Sequence, residues 1–161
     1  MRRKSIPACF TVAISTLLVS LSQGVVITNP SLLVTAAPNP LNNPHYAGAI
    51  SRMEAEDLPG AMREINQAIQ LDPSLVDAYM LRGVLHLGQK NVREAIDDFT
   101  KVTRLDPNNI EGFMNLAKSQ MLLKDYQGAL NSATKAKEID PNNNDAALLA
   151  SLAQQLLESS Q

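Results

Sequence analysis

Two histidines, His45 and His86, are the only imidazoles of this chain, and Cys9 is its only thiol. General acid–base or nucleophilic chemistry needs such groups brought beside a partner, and no spacing here does so. The patterns H-E-x-x-H and G-x-S-x-G are absent, as is a phosphate-cradling glycine loop. With Cys9 alone, the body offers no disulfide and no thiolate metal site. Asp97-Asp98 and the Glu54/Glu56 pair read as solvated charge on helix surfaces. Asn142-Asn143-Asn144 reads as a turn and cap. No catalytic residue, metal site or cofactor is expected, and the chain is read as a non-enzyme.

Composition points the same way. Apolar residues make up 45% of the 161 residues, aromatics only 4%, and there is no Trp. Ala and Leu dominate, which favours helix over sheet. Of the 14 basic residues three precede position 37, whereas none of the 16 acidic ones does, so the remainder carries a net charge of −5. An acidic body has no electrostatic footprint for nucleic acid, which is excluded as a partner class.

Arg2-Arg3-Lys4 opens the chain, and no formal charge follows until Arg52. Ala8 to Leu21 is apolar, within the range of a signal-peptide core and short for a membrane span. Residues 1–37 are therefore expected to be a signal peptide, cleaved after Ser22 or after Ala36/Ala37, or else an uncleaved signal anchor. Either outcome places the body across a membrane, in a periplasm, lumen or secreted medium, or tethered there. Membrane contact is expected only through that segment. Pro38, Pro40 and Pro44, with Asn39, Asn42 and Asn43, predict a stiff extended linker over 38–43.

Beyond it the sequence repeats. Leu71-Asp72-Pro73, Leu105-Asp106-Pro107 and Ile139-Asp140-Pro141 recur every 34 residues. The same period relates Ala61, Ala95 and Ala129, and also Asp57, Asn91 and Asp125, and His45, Tyr79 and Phe113. A period of this size marks stacked supersecondary units. Each unit reads as two helices, over Val76 to Gly88 and Val92 to Leu105 in the second. Asn91 with Glu94 predicts a capping box, with Asp57 and Asp125 in the same cap position. Each Asp-Pro pair closes a second helix, because the residue before proline avoids the α conformation. Ser74, Asn108 and Asn142 are expected to cap the following first helices. Ala61, Ala95, Ala129, Ala49, Gly83 and Ala117 allow close helix approach beside the larger Tyr79 and Phe113.

These residues resemble the pattern of the tetratricopeptide repeat family. The second unit shows Tyr79, Arg82-Gly83, His86, Ala95, Phe99, Val102 and Pro107. The third shows Phe113, Leu116-Ala117, Gln120, Ala129, Ala133, Ala136 and Pro141. The first shows His45, Gly48-Ala49, Arg52, Ala61, Ile65, Ala68 and Pro73. Arg52, Arg82 and Gln120 depart from the pattern. The resemblance implies an all-α fold, an α-α superhelical solenoid of three helix pairs over 42–75, 76–109 and 110–143. Residues 144–161 would add a capping helix and tail, apolar at Ala147, Leu148, Leu152 and Leu156.

In the resembled family the first helices line a concave face. Here it would carry Tyr46, Ile50, Met53, Met80, Val84, Leu87, Met114, Lys118, Met121, Leu148 and Leu152. Methionines adapt to irregular partners, and large apolar patches rarely stay exposed without one. The expected ligand is a protein or peptide partner presenting an apolar or amphipathic segment. The positions where some relatives clamp a C-terminal carboxylate hold Tyr46, Ile50, Leu81, Glu111 and Asn115, and Glu111 would repel such a group. The function expected is an exported interaction adaptor. The alternatives are a membrane-anchored structural subunit of a larger complex and an accessory domain of an enzyme complex.

Overall fold

The computed structural model describes residues 40–160, so the export segment, Cys9 and the first two linker residues lie outside the described residues. A 3₁₀ turn, Pro40–Asn42, leads into seven α-helices: α1 Pro44–Glu54, α2 Leu58–Leu71, α3 Val76–Gly88, α4 Val92–Leu105, α5 Ile110–Leu122, α6 Tyr126–Ile139 and α7 Asn144–Ser159. No strand occurs among the described residues. Each helix packs on the one before and the one after, giving an all-α solenoid.

The core is shared between units. Ala61, Ile65 and Ala68 of α2 are wholly buried against Ala49 of α1, and Leu75 at the α3 N-cap with Ala78 and Leu85 of α3 closes that cluster. Leu116 of α5 closes the cluster around Ala95 and Phe99, and Leu149 of α7 closes that of Ala117 and Ala133. No unit could bury its own apolar stripe alone. At Gly83 two helices approach closely, since a Cβ there would stand 2.7 Å from Cε1 of the buried Phe99.

The helix ends follow a repeated scheme. At the end of α1 the N–H groups of Glu56 and Asp57 donate to the carbonyls of Met53 and Arg52. Lys90 and Asn91 do the same to Leu87 and His86, and Lys124 and Asp125 to Met121 and Gln120. These are Schellman motifs, and Glu56, Lys90 and Lys124 adopt the left-handed conformation they require, with φ of 59°, 64° and 61°. The Asp-Pro ends behave as the sequence suggests, with Asp72, Asp106 and Asp140 extended after the last helical residue.

Three local expectations need correction. The side chains of Asp57 and Asp125 accept from the N–H of Gly60 and Gly128, but Asn91 makes no such bond and the Asn91/Glu94 capping box does not form. The Asn91 N–H already donates to His86, so nothing is left for Glu94 to accept. The first-helix caps sit one residue later than expected. Asn109 and Asn143 cap α5 and α7, while Leu75 leaves α3 without a side-chain cap. Ser74, Asn108 and Asn142 instead donate their N–H to Asp72, Asp106 and Asp140, forming Asx turns. The linker also ends sooner. Asn43 is buried, accepts from the N–H groups of His45 and Tyr46, and donates to the Ala68 carbonyl, so residues 40–43 belong to the folded body.

Candidate peptide-binding groove

The first helices α1, α3, α5 and α7 position the candidate residues, and the second helices hold them in place through a polar contact repeated in each unit. Position 52 and its equivalents face position 64 and its equivalents. Arg52 Nε donates to Glu64 at 3.3 Å, His86 Nε2 lies 3.8 Å from Asp98, and Ser132 donates to Gln120 at 2.8 Å. The departures from the repeat pattern at Arg52 and Gln120 are therefore partners of polar residues on the second helix. Arg82 joins the middle contact. Its Nε and Nη2 donate to the two Asp98 oxygens at 2.9 and 2.6 Å, Nη1 donates to Asn66 at 2.8 Å, and its guanidinium stands over the Tyr79 ring at 5.6 Å. The bidentate carboxylate raises the Arg82 pKa further above its ordinary value. Asp98 is thus a buried ion-pair partner, which corrects its reading as solvated charge. Asp97, Glu54 and Glu56 are exposed as expected.

At the first unit the same scaffold is more open. His45 Nδ1 donates to Glu64 at 2.8 Å and Arg52 Nη1 donates to Asp57 at 2.8 Å. The His45 hydrogen bond, then Arg52, holds the Glu64 carboxyl below its ordinary pKa. The Gly60 N–H, then Arg52, does the same for Asp57.

The proposed groove residues fall into two groups. Tyr46 and Met53 pack on the first core cluster, Met80 and Leu87 on the Phe99 cluster, and Met114 and Met121 on the Ala117/Ala133 cluster. Each keeps a partly exposed face, as does Ile50. Burial, then the charge of Asp77, raises the Tyr46 pKa. Val84, Leu148 and Leu152 are the exposed ones, at 45%, 69% and 42%, and Lys118 is exposed beside them. Four of the eleven meet in one place. Met114, Lys118, Leu148 and Leu152, with Asp145 and Leu149, line an open cavity of 210 Å³ between α5 and α7. A larger recess of 280 Å³, lined by Lys90, Asn91, Val92, Arg93, Glu94 and Leu123, is as polar as it is apolar and mixed in charge.

The α7 stripe divides within its length. Ala146, Leu149 and Ala153 are buried inward, while Leu148 and Leu152 stand exposed on the cavity wall. The expected stripe of Ala147, Leu148, Leu152 and Leu156 thus runs one residue off the buried one. Two cavity-lining residues, Asp145 and Leu149, escaped the sequence reading. The signal for Asp145 was the 34-residue period that relates it to Glu111 and, through Glu111, to Asp77. Asn115 donates to the Met80 sulfur at 3.5 Å, tying neighbouring units together along the face.

Residues 76–109 and 110–143 each match the family description "Tetratricopeptide repeat". No curated protein matches the chain. Among solved structures it is similar to the TPR2B domain of yeast Sti1, in a complex with an Hsp70 peptide. The identity is 23%, covering 70% of this chain and 94% of that one, with a TM-score of 0.62. It is also similar to MamA, at 18% identity over 70% of this chain and 62% of that one, TM-score 0.66. The Sgt2 TPR domain from Aspergillus fumigatus is similar at 18% identity over 77% of this chain and 83% of that one, TM-score 0.66. These likenesses establish the tetratricopeptide helical solenoid as the fold.

Proposed function

We propose that this array of tetratricopeptide repeats is an exported adaptor that holds an apolar or amphipathic segment of another protein along its first helices. The observation that carries the reading is the open cavity at α5 and α7, where Leu148 and Leu152 stand exposed beside Met114. Apolar side chains so placed gain about 25 cal/mol per Å² when a partner covers them. Tetratricopeptide repeats commonly mediate protein–protein contacts, and a structural neighbour, the first TPR of Spaghetti (RPAP3), is described as bound to the Hsp90 peptide SRMEEVD. That peptide is acidic, whereas Glu111 stands in one of this chain's clamp positions, so its class of ligand is disfavoured here. Export rests on the Arg2-Arg3-Lys4 start and the uncharged run behind it.

The test is crosslinked capture from the exported fraction with and without groove substitutions. Met80→Glu with Met114→Glu should abolish capture of partners. Both methionines also touch the core, so Leu148→Asp with Leu152→Asp, on exposed positions, is the companion variant. Unchanged capture by variants that keep native circular dichroism would sink the reading. The N-terminal sequence of the mature protein tests export and cleavage together.

A further inference from the structure

The groove carries charge as well as apolar surface, and the charge is arranged. Asp77, Glu111 and Asp145 recur at 34-residue spacing in the first turns of α3, α5 and α7, and all three are exposed. Each lies three and seven residues before two groove positions: Met80 and Val84, Met114 and Lys118, Leu148 and Leu152. That spacing puts each carboxylate on the same helix face as the groove. Two observations agree. Asp145 lines the cavity with Leu148, and the Asp77 charge acts on Tyr46 of the neighbouring unit. None of the three is in a salt bridge among the described residues, whereas Asp57, Glu64 and Asp98 each are. Carboxylates are favoured at helix N-termini by the macrodipole, which accounts for acid there but not for its alignment with the groove in three successive units. Lys118 is the single basic residue among the groove positions.

We propose that the segment this groove takes is a basic amphipathic one, its apolar side on the exposed leucines and its Lys/Arg edge along Asp77, Glu111 and Asp145. This rests on the groove reading above and adds the sign of the partner. Complementary charge steers the encounter and fixes which way round the segment lies.

A fluorescein-labelled helical peptide of about 18 residues, built of Leu and Lys at amphipathic spacing, is titrated into the full chain and followed by anisotropy. Leu/Glu and Leu/Gln counterparts are compared with it. The Leu/Lys peptide should bind about tenfold tighter than either at about 50 mM salt, and the margin should shrink at about 150 mM. The triple variant Asp77→Asn, Glu111→Gln, Asp145→Asn should erase the margin. Removing as much charge elsewhere, by Glu94→Gln, Asp97→Asn and Glu138→Gln, should leave it within about twofold. Equal binding of the Leu/Gln peptide, or equal weakening by the control triple, overturns the basic partner while leaving the groove standing. Binding of no peptide, or binding indifferent to Leu148→Asp with Leu152→Asp, overturns the groove reading with it. A gain in Leu/Lys affinity on removal of residues 1–37 would make that segment the occupant instead. A dimer dispersed by the Leu148/Leu152 pair of substitutions would make it a second copy. Both outcomes overturn the proposal.

Discussion

Asp97 and Asp98 are neighbours of one type on one helix, yet they do opposite things. Asp97 is solvated, while Asp98 is 4% exposed and takes both forks of Arg82. Removing one partner of a buried pair strands the other, at about 3–5 kcal/mol when both are fully enclosed. Arg82 is partly open to solvent and keeps Asn66, so Asp98→Ala should cost about 2–3 kcal/mol. Asp97→Ala should stay within about 0.5 kcal/mol. Urea denaturation of the two variants side by side checks this. The carboxylates of the first unit set the acid limit. Glu64, Asp57 and Asp72 have pKa values lowered by folding, the first through His45, the second through Gly60 and the third through the Ser74 hydroxyl. A lowered pKa means the folded form prefers the ionised group. The stabilisation is complete above the unfolded value and is lost as pH falls below about 4. The melting temperature should therefore fall between about pH 5 and 2.5, and Glu64→Gln should flatten that slope. A slope unchanged by Glu64→Gln would place the acid sensitivity elsewhere.

At the scale of elements, the turns between paired helices hold a cost that substitution can remove. Glu56, Lys90 and Lys124 each sit at positive φ in a Schellman motif, where a side chain is disfavoured by about 1–2 kcal/mol and glycine is not. Glycine loses more backbone entropy on folding, so Lys90→Gly and Lys124→Gly should each give a net gain of about 0.5–1 kcal/mol, read as a raised melting temperature. The opposite holds inside α3. Gly83→Ala would push a methyl into Phe99, which is wholly buried and cannot retreat, and should cost about 1–3 kcal/mol. The helices themselves were legible in the sequence because period, Asp-Pro stops and small residues all agree. The α3 and α4 boundaries fall where spacing placed them. The caps were not legible to the residue. The Asn91 side chain donates to Gln89, whereas Asp57 and Asp125 in the same turn accept from Gly60 and Gly128, and the Ser74 N–H and hydroxyl both go to Asp72; such local competition is settled only in three dimensions.

Across the whole molecule the same limit governs the groove. Its face could be read from the 34-residue period, because equivalent positions on stacked helices must share a side. Which of those residues stay open could not, because burial is decided by what the neighbouring unit presents. Met80 leans on the cluster that Phe99 and Leu116 close, whereas Leu148 is on α7, which has only α6 and α5 to pack against among the described residues. Asp98 was missed for the same reason, since its partner Arg82 lies on a different helix. Two adjacent leucines on α7 separate sealing the array from lining the cavity. Leu149 is 9% exposed and seals Ala117 and Ala133, while Leu148 is 69% exposed on the cavity wall. Leu149→Ala should cost about 2–4 kcal/mol, because a sealing side chain leaves a void when truncated. In a solenoid whose units stabilise only their neighbours, that loss should speed amide exchange in α5 and α6 more than in α1 and α2. Leu148→Ala should leave stability within about 0.5 kcal/mol and weaken partner capture instead. If Leu148→Ala proved as destabilising as Leu149→Ala, the exposed wall would be part of the core and the groove would lose its apolar floor.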